Sequence, residues 1–87
     1  MDVQARLSGV CKLFAKAIKQ IEKDIRDKER RVRALGDDIG DLQRQPKPDQ
    51  AKIQELAQRR QELESELETD RSQLGAFQEE FSASCSG

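Results

Sequence analysis

Apolar residues recur along this chain at alternating steps of three and four. With Cys11 at position a of a heptad and Leu7 at d, the a series reads Cys11, Ile18, Ile25, Val32, Ile39. The d series reads Leu7, Phe14, Ile21, Lys28, Leu35, Leu42, with Lys28 its one polar member. Such spacing puts a narrow apolar stripe on one face of a helix, and that stripe requires a partner helix. A second frame follows the Gln45-Pro46-Lys47-Pro48 break. Its a series is Ile53, Arg60, Leu67, Leu74, Phe81, and its d series is Leu56, Leu63, Asp70, Phe77, Ser84. Pro46 disfavours helical geometry at Gln45, and two prolines at alternate positions cannot sit inside one helix. The pattern predicts a helix over about 3–44, a turn at 45–48, a helix over about 49–82 and a flexible tail at 83–87. A break this short makes the second helix double back on the first.

The two frames fit each other. In an antiparallel pair, an a residue of one helix meets a d residue of the other, so facing residue numbers share one sum. Here that sum is 95, as for Leu42 with Ile53, Ile39 with Leu56, Ile18 with Phe77 and Phe14 with Phe81. The predicted fold is an all-α antiparallel coiled-coil helical hairpin. The polar seam residues Lys28, Arg60 and Asp70 are read as setting register: Lys28 and Asp70 fall in neighbouring layers, and Arg60 reaches toward Asp38. Flanking charges also match, with Arg31 near Glu66, Asp38 near Arg59 and Glu22 near Arg71, and Glu29 beside Glu64 as the like-charged exception.

Composition agrees with long helices more than with a compact core. Of 87 residues, 38% are charged and 34% hydrophobic, with three Phe and no Trp or Tyr. The net charge of −1 conceals a division. Residues 1–44 carry 11 Lys or Arg against 8 Asp or Glu, and residues 45–87 carry 5 against 9. Two helices of opposite net charge suit each other. Val3, Leu7, Val10, Leu13 and Phe14 widen the apolar stripe at the start of the first helix. The pattern therefore predicts self-association, most simply a homodimer of hairpins forming a four-helix bundle, and a further protein partner docked on that apolar end.

Candidate chemistry is sparse. Lys12, Lys16, Lys19, Lys23, Arg26, Arg30 and Arg33 line the b and f positions, opposite the seam, as a continuous basic stripe. Such a stripe contacts phosphates in some proteins and is simply solvated in most coiled coils. A sequence pI of about 5.5 and the lack of interleaved aromatics favour the solvated reading over nucleic-acid binding. Cys11 and Cys85 fall side by side at the open end of the hairpin, where a disulfide can form. No stretch resembles a secretory leader, so the expectation is a cytoplasmic protein with both thiols reduced. Asp37, Asp38, Asp41 and Asp49 near the turn read as capping and solubilising residues.

With no His, no glycine-rich phosphate loop and no nucleophile motif, neither a catalytic residue, nor a metal site, nor a cofactor is predicted. The chain reads as a non-enzymatic assembly or adaptor module. The alternatives are a polyanion-binding accessory factor using the basic stripe, and a small helical inhibitor or regulator of a larger enzyme. The outline is similar in shape to many helical hairpins, including the tRNA-binding arm of seryl-tRNA synthetases. It shares no motif with them, so the likeness implies no function.

Overall fold

The computed structural model describes the backbone of residues 2–85 and the side chains of residues 9–85. Two helices account for nearly all of it: α1 (Asp2–Gln43) and α2 (Gln50–Cys85). The protein is an all-α antiparallel helical hairpin, without strands among the described residues. From Cys11 to Phe81, every a and d position of both frames is buried or half-buried. The b and f positions from Lys12 to Arg33 are all exposed.

The turn shows how the chain reverses. The Arg44 N–H donates to the Gly40 carbonyl at 3.2 Å, and the Gln45 N–H to the Leu42 carbonyl at 3.2 Å, so the last turn of α1 tightens before Pro46. α2 begins one residue later than the proline pattern suggests. Asp49 is its N-cap: its side-chain Oδ1 accepts from the Lys52 N–H at 3.1 Å, and its carbonyl accepts from the Ile53 N–H at 3.0 Å. Pro48 lies just outside the helix.

The chain divides into two compact units, residues 26–68 and residues 1–25 with 69–87. In the unit that contains the turn, Ile39, Ile53 and Leu56 form a buried cluster, with Leu35, Leu42 and Ala57 packed against it. This cluster holds the expected facing pairs Ile39/Leu56 and Leu42/Ile53. Leu67, at 3% exposure, is the most buried side chain described.

The other unit brings the start of α1 against the end of α2. Ile25 is its buried aliphatic residue, and Phe14 meets Phe77 edge to face with ring centroids 5.9 Å apart. The register pairs Phe14 with Phe81 and Ile18 with Phe77. The observed ring contact is the diagonal neighbour, one turn away, which a Phe ring is long enough to reach. Cys11 and Cys85 are disulfide-bonded, with Cα atoms 5.8 Å apart. The possible disulfide read from the register is thus formed in the structure, where both thiols were expected reduced: the seam brings both residues within bonding geometry. α2 also stays helical through Cys85, past the expected end near residue 82. Residues 86 and 87 lie outside the described residues.

Candidate interaction surfaces

Three surfaces follow from this packing. The first is the apolar end of α1. Val10 and Leu13 hold g and c positions, off the seam, and are 45% and 68% exposed. They are the exposed large hydrophobic residues among those described. Phe14 sits beside them but is half-buried and engaged with Phe77. The side chains of Val3 and Leu7 lie outside the described residues.

The second surface is the basic stripe. All seven of its residues are exposed. Arg30 is engaged by Asp27, with Nη2 to Oδ1 at 2.9 Å. Lys12, Lys16, Lys19, Lys23, Arg26 and Arg33 form no ion pair among the described residues.

The third is an open cleft on one flank of the unit at residues 26–68. Leu35 and Leu63 form its apolar floor, and Arg31, Asp38, Arg59 and Glu66 stand around its rim. The flanking pairs Arg31/Glu66 and Asp38/Arg59 do converge there. Even so, Glu66 takes Lys28 as its partner, with Nζ to Oε1 at 3.6 Å, and Arg59 takes Glu55 on its own helix, at 3.5 Å. Arg31 and Asp38 are in no ion pair among the described residues. The sequence pattern marks these four charges as matched flanking pairs; it does not show that two of them form no ion pair among the described residues.

The polar seam residues are placed as follows. Lys28 is 22% exposed at the side chain and sends its ammonium out to Glu66 while its methylenes follow the seam. Arg60 does not pair with Asp38. Its Nε lies 3.6 Å from Glu64 Oε1, one turn along α2, and its Nη1 lies over Gly36. Helical i,i+4 geometry reaches Glu64 with less side-chain ordering than a cross-helix partner requires. Asp70 is half-buried in the other unit.

Among the described residues there is no metal-holding group of side chains, no buried polar side-chain atom without a partner, and no helix long and apolar enough to cross a membrane. Fold and surfaces together define a two-helix coiled-coil hairpin with an apolar end, a basic outer stripe and a charged flank cleft. Compared with family models, curated proteins and solved structures, the chain finds no match.

Proposed function

We propose that this protein is a non-enzymatic coiled-coil assembly module that self-associates and docks a protein partner on the apolar end of α1. The observation that carries this reading is the exposure of Val10 and Leu13, 45% and 68%, one turn apart and off the seam. Both lie off the a and d face that packs against α2.

Light scattering after size exclusion, with the disulfide intact, tests the first half: a dimer is expected, and a monomer at micromolar concentration overturns self-association. A photo-crosslinking residue at position 13, in chain expressed in its source cells, tests the second. Labelling of a protein other than this one is expected; labelling no stronger than from a control position on the outer face overturns docking.

A second reading, contact with a nucleic acid through the basic stripe, is supported by the six stripe cations that form no ion pair among the described residues. Titration with duplex DNA and RNA at low and physiological salt separates the two. Under this reading binding weakens steeply with salt. Replacing Lys16, Lys23 and Arg30 with Glu then abolishes it while leaving the oligomer intact. The Cys11–Cys85 bond bears on location, because disulfides persist in oxidising compartments and are opened in a reducing cytosol. A cytoplasmic location therefore requires free thiols in protein alkylated at the moment of cell lysis. A bonded pair in that trapped protein places it in an oxidising compartment.

A further inference from the structure

The cleft at Leu35 and Leu63 carries a charge pattern that is complementary to itself. Along its α1 edge, Arg31 is followed two turns later by Asp38; along its α2 edge, Glu66 stands across from Arg31 and Arg59 across from Asp38. Positive and negative alternate among these four; Glu62, between Arg59 and Glu66 on the α2 edge, is a fifth charge lining the cleft. A surface that meets its own copy about a two-fold axis must be complementary to itself, and few arrangements of four charges satisfy this. Here an axis running along the helices sets Arg31 of one copy over Glu66 of the other, and Asp38 over Arg59. Every one of the four contacts has opposite signs. Leu35 and Leu63, half-buried within one hairpin, supply the apolar centre that such a contact would close.

We propose that this flank is the interface through which the protein pairs with a second copy, with the two hairpins side by side and their turns at the same end. The inference rests on the self-association proposed above and adds its location and direction. An axis across the helices also matches the four rim charges, but it brings the Glu62 residues of the two copies face to face. The lengthwise axis sets Glu62 against Ala34 instead, so Glu62 selects the aligned arrangement. The occupant is a second copy and not an unrelated chain, because the complement this rim requires is the rim itself. Arg31 and Asp38, exposed and in no ion pair among the described residues, are the two charges left available for it. Such rim charges set orientation and partner choice, and the apolar centre supplies the driving force.

The test measures the dimer dissociation constant of the full, disulfide-bonded chain by sedimentation, with far-UV circular dichroism confirming helicity. Arg31→Glu places like charges at two symmetry-related contacts and is expected to weaken the dimer about tenfold or more. Adding Glu66→Arg to it restores the dimer; adding Asp38→Arg instead does not. Because Glu66 also holds Lys28, the independent combination Asp38→Arg with Arg59→Glu is measured as a second rescue. A dimer indifferent to every reversal overturns this interface and leaves self-association standing. Rescue by Asp38→Arg but not by Glu66→Arg overturns the aligned arrangement. A wild-type monomer overturns both the interface and the self-association on which it rests.

Discussion

Asp49 and Gly75 show how much single residues decide in a chain with so little buried surface. Asp49 satisfies the amide of Lys52 that no helical carbonyl can reach. Asp49→Ala leaves that donor to water and is expected to cost about 1 kcal/mol, with Asp49→Asn close to neutral. Urea titration of the two variants reads the difference, and equal losses would mean that the charge matters and the cap does not. Gly75 lies inside α2, and a Cβ built on it meets nothing within 4 Å. Gly75→Ala should therefore stabilise the fold by roughly 0.5–1 kcal/mol, since alanine loses less backbone freedom on entering a helix. A lower urea midpoint for that variant would show that the site is occupied in solution, for instance by a second chain. Leu67, almost fully enclosed, is the opposite case: Leu67→Ala should cost about 2–5 kcal/mol.

Each helix depends on its seam, and the two units secure that seam differently. At residues 26–68 the aliphatic cluster around Ile39, Ile53 and Leu56 is closed by a turn of a few residues, so its ends are held together by short-range connection. The segments 1–25 and 69–87 are far apart in sequence, and Cys11 and Cys85 are 74 positions apart. Closing so long a loop without a link carries a large entropy cost. In the chain-entropy model, the disulfide removes about 4 kcal/mol of it. Replacing both cysteines with Ser should therefore speed amide exchange at residues 9–25 and 69–85 far more than at residues 26–68. Uniform acceleration over both units would show that they do not open independently. The seam itself was legible from heptad spacing, because a and d positions are defined by period alone. The Phe14–Phe77 contact was not, because it depends on ring orientation within a layer.

For the molecule as a whole, the prediction concerns concentration. If hairpins pair, the melting temperature of the disulfide-bonded chain rises with protein concentration by mass action; a temperature constant from about 1 to 100 μM argues for an isolated hairpin. The Arg31→Glu chain should show that dependence only at about tenfold higher concentration while keeping its helicity. Flanking charges were legible as sign patterns on both helices. What they do was not, because a rim charge can pair within the chain or wait for another one. The choice depends on angstroms: Lys28 reaches Glu66 and Glu55 reaches Arg59, which leaves Arg31 and Asp38 without ion pairs among the described residues.

The sequence by itself determined that two helices form, where they break, which faces meet and in what register. Those properties follow from hydrophobic period and from proline geometry, which act locally. Only the tertiary structure decided that Arg60 turns to its own helix, that Cys11 and Cys85 are bonded, and that Val10, Leu13 and the Leu35–Leu63 cleft remain uncovered. Each of these depends on the distance between side chains brought together by folding, and a linear pattern specifies neighbours along a helix face without specifying which of them come within reach.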